Sequence, residues 1–347
     1  MTPQTPPLLS WTKKGLFCAA GDFYIDPSGA VETAIITHAH SDHARRGSRR
    51  YICAASGVGL LKVRLGAQAP VAGLPYGTKL ALGRALISLH PAGHILGSAQ
   101  VRVESGEEVW VASGDYKRDL DPSCEPFEVV SCGTFITEAT FGTPKYVWDK
   151  TRCAGADLHA WWSANAAKGV NSVLFGYSLG KAQRILAELA PFAPRPVLIH
   201  ESISAYTRCY RSEGRRLAET LELGQASGPL QGELLLIPPS ALSGAGLERL
   251  GRYETAFASG WMQGAAGGRG RYAAGYDRGF ALSDHADWND LNRTIDETGA
   301  TRVFLLQRAS GALLRHLRKR GVDAHPAESL QPEKYALIPP CELPLFR

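Results

Sequence analysis

The stretch Thr37-His38-Ala39-His40-Ser41-Asp42-His43 constrains this chain more than any other. It sets three imidazoles and a carboxylate in the pattern His-x-His-x-Asp-His, directly after the apolar run Ala34-Ile35-Ile36, which reads as a buried strand. Alternate residues at a strand end can point the same way, so His38 and His40 can grip one ion. Asp42 and His43, in the turn that follows, can reach a second. Imidazole nitrogen with carboxylate oxygen suits Zn, and Mn or Fe less exclusively. With only ten histidines in 347 residues, a merely polar turn is a poor account of the cluster. This is a metal site.

The same device recurs down the first half: a short apolar strand delivering a polar residue at its end. Phe23-Tyr24-Ile25 leads to Asp26, whose type more often caps a turn or orients a ligand histidine than binds metal. Residues 85–89 read as a strand followed by His90-Pro91-Ala92-Gly93-His94, and either histidine could be a ligand. His94 has the advantage of a glycine-rich turn, where the backbone can bend to present it. Val109-Trp110-Val111-Ala112-Ser113 leads to Asp115, and residues 134–137 lead to Glu138. Five such strand ends in succession look like the rim of a sheet sandwich assembled around metal.

From about residue 171 the pattern changes. Strands at 172–175, 196–199 and 234–237 alternate with helices at 180–189 and 204–216, which argues for a parallel α/β unit. Gly176-Tyr177-Ser178-Leu179-Gly180-Lys181 resembles a phosphate loop, but it is one residue short and lacks the Ser/Thr after lysine. A backbone-amide and Lys181 grip on a nucleic-acid phosphate competes here on equal terms with an ordinary tight turn. Gly264 to Arg271 is a glycine-rich loop, read as a surface excursion. Leu282-Ser283-Asp284-His285-Ala286-Asp287 is expected to open a helix running to about 297, followed by a strand at 301–306 and a basic helix at 310–320.

Composition excludes several classes. Charged residues make up 20% and apolar ones 44%, a globular balance, and no run approaches the roughly 20 apolar residues of a membrane span. The first residues lack a basic segment followed by an apolar one, so no secretory signal is expected. Seven scattered cysteines with no C-x-x-C pair read as reduced thiols in a cytoplasmic protein. The net charge is +5. Of several arginine clusters, Arg45, Arg46, Arg49 and Arg50 adjoin the metal motif and would draw a polyanion to it, which suggests phosphodiester substrates.

The order of Asp26, His38-x-His40-x-Asp42-His43, His94 and Asp115 resembles the metallo-β-lactamase fold. Glu138 and Ser283-Asp284-His285 resemble its β-CASP nuclease branch, which includes Artemis-like DNA nucleases, bacterial ribonuclease J and the pre-mRNA 3′-end cleavage endonuclease. Gly114-Asp115-Tyr116-Lys117-Arg118-Asp119 and Gly180-Lys181-Ala182-Gln183-Arg184 look closest to bacterial ligase-associated DNA exonucleases. The resemblance implies an α/β fold, a metallo-β-lactamase αββα sandwich with an inserted β-CASP α/β domain. Its core would be residues 1–170 and 276–347, with 171–275 as the insertion. His38, His40 and His94 would hold one metal, Asp42 and His43 a second, and Asp115 would bridge them. Hydroxide formed between the ions would attack phosphorus. Glu138 would orient His285, the candidate general acid.

One position departs from the pattern. RNA-cutting relatives place a histidine where this chain has Gln307, and DNA-specific relatives lack it. Gln307 leans the reading towards DNA and towards a second metal, Zn or Mn like the first, held more weakly. The expected function is a metal-dependent DNA exonuclease, acting on 5′ ends of single strands in repair, with a DNA ligase and a helicase as partners the resemblance admits. Its rivals are a β-CASP ribonuclease and a catalytically weakened nucleic-acid-binding scaffold.

Overall fold

The structure, a computed structural model, describes residues 7–244, 250–263, 275–306 and 311–331. Two sheets share one core. The first runs in space as Ser10–Thr12, Gly15–Cys18, Phe23–Ile25, Thr33–Ile35, Arg50–Ala54 and Val71–Leu74. The second runs Asp323–Pro326, Arg302–Leu305, Thr134–Thr137, Glu108–Ala112, Ala99–Ser105, Ala85–Pro91 and Leu80–Leu82. Strand side chains alternate between faces, and this decides what each sheet buries. Trp110, Ala112, Ile136 and Phe304 face inward, onto Ile35, Ile52 and Ala54 of the first sheet. Val111, Phe135, Val303 and Leu305 face outward, under Leu291 and Ile295 of helix Trp288–Thr298 and Leu313 and Leu317 of helix Gly311–Lys319. On the opposite side, Ala34, Tyr51 and Cys53 meet Leu60, Leu61 and Leu65 of helix Val58–Leu65. The layers are helix, sheet, sheet, helix. Several strands of the first sheet escape sequence reading because they are three or four residues long.

The third sheet is entirely parallel, in the order Thr220–Glu222, Val197–Ile199, Leu234–Ile237, Asn171–Phe175, Tyr253–Ala258 and Arg278–Phe280. Both faces are covered, which is why Leu234-Leu235-Leu236-Ile237 is an unbroken apolar run. Helices Ala154–Ala166, Lys181–Leu189 and Glu201–Ser212 pack on one face. The packing reaches beyond residues 171–275 on both sides. Trp162 in the helix before it donates its indole N–H to Gly232 O at 3.0 Å, and Arg278–Phe280 forms the sheet's edge after it. The helix expected at 204–216 is Glu201–Ser212, started by the His200 ring accepting from Ser202 N. The glycine-rich tract from Gly264 to Arg271 and Gln307 lie outside the described residues.

Candidate metal centre

The strand Thr33–Ile35 ends before the histidine motif, so His38 and His40 stand in the loop that follows it. What fixes that loop is Asp26. Its carboxylate accepts from Thr37 N at 2.8 Å, from Thr37 Oγ1 at 2.6 Å and from His43 Nδ1 at 2.7 Å. Asp26 itself has φ of 46°, a left-handed conformation uncommon for a residue with a side chain. His43 Nε2 is thereby turned to Asp115 Oδ2, at 3.5 Å, and to Asp42 Oδ2, at 3.7 Å.

His38 Nε2 lies 3.1 Å from His40 Nδ1, which lies 3.1 Å from His94 Nε2. Asp115 Oδ2 is 3.6 Å from His38 Nε2 and 3.8 Å from His94 Nε2. The hydrogen bonds at the far side of each ring assign its tautomer. Thr37 Oγ1 gives its own proton to Asp26 and therefore accepts from His38 Nδ1, at 3.0 Å. His40 Nε2 donates to Leu179 O at 3.2 Å, and His94 Nδ1 donates to Asp284 O at 2.6 Å. Each near nitrogen is thus left with a lone pair, and the three lone pairs converge with a carboxylate oxygen. Lone pairs that close repel unless a cation sits among them. Ligand atoms about 2.0–2.1 Å from a tetrahedral Zn lie roughly 3.3 Å apart, so the observed spacing fits such an ion. Burial pushes the pKa values of His38, His40 and His94 down, keeping them neutral as ligands must be. Burial would also lower His43, but Asp115 and Asp26 outweigh it and hold it well above the usual histidine range. For Asp115, burial works upward and is overcome by His43 and His285, leaving its carboxyl well below the usual range.

Across Asp115 stands a second cluster, Asp115, Glu138 and His285, whose atoms also lie close enough to share an ion. Glu138 is already committed. It accepts from Tyr116 N at 2.7 Å and Thr140 N at 3.3 Å, and His285 Nδ1 lies 3.0 and 3.1 Å from its two oxygens. Burial alone would lower His285, but Glu138 and Asp115 prevail and push it up to about 9. The Glu138 carboxylate thus favours a proton on His285.

Over 312 residues, 89% of its length, the chain is 33% identical to the "Probable DNA ligase" of Opitutus terrae, of which it covers 30%. Over 111 residues, 31% of its length, it is 29% identical to Integrator complex subunit 11 of Danio rerio, of which it covers 18%. The chain is a β-CASP metallo-β-lactamase relative. It spans less than a third of the length of either of these proteins. A crystal structure of a protein of unknown function from Enterococcus faecalis V583 superposes with a TM-score of 0.53 at 13% identity, over 79% of this chain and 74% of that one. That likeness is one of fold. No family model matches the chain.

In this β-CASP relative the remaining sequence-derived positions separate clearly. His90 is turned away, between Ser88 and Glu128, so of the two histidines only His94 joins the cluster. Asp42 sits at the rim with its side chain 73% exposed. Arg45, Arg46, Arg49 and Arg50 are all exposed, and Arg49 shares its charge with Glu32 at 3.4 Å. Lys181 requires correction. It is buried, its ammonium 2.8 Å from Asp284 Oδ1 and donating to Leu282 O at 2.5 Å, so it does not face a phosphate. The helix start it was read from is closed by its own residue, Gln183 Oε1 accepting from Gly180 N at 2.8 Å. The motif at 283–285 does not open a helix either. Helix Trp288–Thr298 begins later, capped by Asp287, whose side chain accepts from Asp290 N at 2.8 Å.

Residues 282–285 form a bent strap in which four successive carbonyls each accept from a side chain. Lys181 takes Leu282 O, Arg184 takes Ser283 O, His94 takes Asp284 O, and Trp148 Nε1 takes His285 O at 3.0 Å. Lys181 and Arg184 come from one face of helix Lys181–Leu189, and His94 from the histidine cluster. Sequence reading missed this clamp, although the spacing of Lys181 and Arg184, three residues apart on a helix, already put them on one face.

Proposed function

We propose that the protein is a metal-dependent exonuclease that hydrolyses the phosphodiester bonds of DNA, working from 5′ ends of single strands in repair. The observation that carries this reading is the convergence of three imidazole lone pairs on Asp115, with a carboxylate-held histidine on the far side of that same residue. His38, His40, His94 and Asp115 would hold a first Zn or Mn ion, and Asp42, His43 and Asp115 a second. A bound divalent ion supplies Lewis acidity to a phosphate oxygen and acidifies water. The second set is the weaker, because Asp42 is exposed and His43 must give up a proton that Asp26 and Asp115 favour. Glu138 keeps a proton on His285 at neutral pH, and His285 passes it from Nε2 to the departing oxygen. Arg45, Arg46, Arg49 and Arg50 draw the strand in by its phosphates. The division of the chain belongs to the proposal: residues 1–170 and 276–347 supply the catalytic sandwich and 171–275 the β-CASP insertion that closes over it, with helix Ala154–Ala166 and strand Arg278–Phe280 joining the insertion's sheet.

A relative that bears the name "Probable DNA ligase" supports DNA as the substrate and a ligase as partner. Among the described residues no helix is long and apolar enough to cross a membrane. The test is digestion of 5′- and 3′-labelled DNA and RNA with added Mn or Zn, using His40→Ala as control. Release of mononucleotides from the 5′ label of single-stranded DNA is expected. Cleavage of RNA with DNA spared would overturn the substrate, and cutting that persists in a folded His40→Ala protein would overturn the site.

A further inference from the structure

His285 is gripped at both ends by one segment of chain. Its ring Nδ1 lies 3.0 and 3.1 Å from the two oxygens of Glu138, which follows strand Thr134–Thr137. Further along the same segment, Trp148 Nε1 donates to His285 O at 3.0 Å. That carbonyl also accepts from Ser283 Oγ at 3.2 Å, so both of its lone pairs are used. Ser283 Oγ in turn accepts from His285 N at 3.1 Å.

The segment that carries Trp148 is fastened alongside the residues that follow His285. Trp288 N donates to Tyr146 O at 3.0 Å, Trp148 N to Asp287 Oδ2 at 2.8 Å, and Lys150 Nζ to Asp290 Oδ2 at 2.7 Å. Phe141 stands edge-on to the indole at 4.8 Å and edge-on to the His285 ring at 6.0 Å. Such a grip is needed because of what borders the strap. Leu282 and Ser283, together with Trp148 and Arg184, line a cavity of about 950 Å³. Packing holds a segment only where atoms meet it, and on the cavity side none do. Hydrogen bonds to the strap carbonyls therefore set where it lies. Of their donors, Trp148 acts on the residue that bears the proton. It bonds to His285 and Asp287 and packs on Phe141 and Tyr146, none of them a proposed metal ligand.

The geometry points to Trp148 as a positioning residue for proton delivery by His285. Its indole N–H fixes the main chain of His285, Glu138 fixes the ring, and the two together fix where Nε2 stands. In the step concerned, a water-derived oxygen bonds to phosphorus and the bond from phosphorus to the departing oxygen breaks. The Nε2 proton goes to that departing oxygen. Misplacing a reacting group by about 1 Å costs up to about a hundredfold in rate. The inference rests on the nuclease reading above, with His285 as its acid, and adds what holds that acid in place.

The test compares cleavage of two single strands that differ at one bond. In one the departing oxygen is natural; in the other it is replaced by sulfur, which leaves as a thiolate and needs no proton. Trp148→Phe keeps a ring beside Phe141 and removes the N–H. In the metal-loaded variant, kcat on the oxygen strand should fall about ten- to a hundredfold with KM unchanged. Cleavage at the sulfur bond should match wild type, and elemental analysis should find the same metal content. Ser283→Ala removes the other donor to the carbonyl and should show the same split, which carries the test where Trp148→Phe does not fold. His285→Ala is the reference and should lose the oxygen strand alone. Equal loss on both strands, lost metal, or unchanged cleavage in a folded Trp148→Phe protein overturns the positioning role and leaves the nuclease reading standing. His285→Ala cutting the oxygen strand at the wild-type rate removes the acid, and the inference with it. Wild type that cuts neither strand overturns the nuclease reading as well.

Discussion

The histidine cluster and the ion network beside it are both built from buried titratable side chains, yet they are arranged on opposite rules. In the network, Lys117, Lys181 and Arg184 face Asp121, Asp284 and Glu188. Opposite charges alternate, and the strap carbonyls take the remaining protons. Burial would raise the carboxyl of Asp284, but Lys181, Lys117 and Arg184 around it hold it well below the usual range. Lys181 has one carboxylate and two competing cations for neighbours, so burial prevails and brings it down to about 8. In the histidine cluster, like faces like: lone pair against lone pair, with a carboxylate added. The network balances three cations with three carboxylates without a ligand, whereas the cluster becomes favourable only around a cation. The candidate site sits where the chain leaves like groups facing one another, and the fold holds that arrangement in place with a neighbouring set of opposite charges.

The sharpest way to break this contrast is His40→Ala. Cleavage should fall by at least about a thousandfold, the several kcal/mol of barrier that ion-assisted chemistry supplies, with metal content reduced. The metal-free variant should melt no lower than metal-free wild type, because a repulsive contact has been removed. Elemental analysis and thermal denaturation check both halves. A folded variant cutting at near wild-type rate would show that the lone pairs do not serve an ion.

Asp121→Asn should do the reverse, destabilising the fold by about 3–5 kcal/mol through the uncompensated Lys117 and Arg184. Urea titration at pH 7 reads this. Burial would raise Asp121, but Lys117 and Arg184 dominate and depress it. Its stabilisation is therefore fully present above the ordinary carboxylate range near 4, and it is lost as pH falls through the depressed value. The difference between variant and wild type should stay constant from pH 7 to 5 and shrink in stronger acid. A gap that widened on acidification would reverse the assignment.

Asp26→Asn tests a residue between the two groups, one that touches His43 and no ion. Affinity for the second metal should drop about 10–100-fold, with the first little changed, as titration calorimetry with Mn would show. Equal loss at both would mean that Asp26 supports the whole loop. The smallest effect is expected from neutralising Arg45 and Arg46. Stability should stay within about 0.5 kcal/mol, and the log–log salt slope of DNA binding should flatten by about one to two units. An unchanged slope would return this patch to plain solvated surface.

What could be read from the sequence follows the same divide. His38, His40, Asp42 and His43 are legible because one short segment supplies them, and Asp115 and Glu138 because each ends an apolar strand. Lys181 was misread because its setting is local only in part: a glycine loop precedes it, but Asp284, which neutralises it, lies about a hundred residues later. The helix start at Trp288 was recoverable from Asp287 and Asp290, a side-chain cap three residues ahead of its amide. The glycine-rich turn favoured His94 over His90, and the strand Ala85–Pro91, which carries His90 past the cluster, gives the reason. For the third sheet, the alternation of strands and helices from about residue 171 gave the parallel arrangement directly.

Strand Arg302–Leu305 lies between Thr134–Thr137 and Asp323–Pro326, pairing in parallel with partners on both sides. During synthesis the edge of Thr134–Thr137 that it covers stands open while the whole third sheet is made. At about 5–20 residues per second, that wait lasts on the order of ten seconds. Closing so long a loop adds little entropy cost beyond a shorter one, so the delay is one of timing more than of energy. His285 reaches Glu138 only near the end of that interval. A nascent chain would therefore carry His38, His40, His43 and His94 well before Asp284, whose carbonyl accepts from His94 Nδ1, and before His285.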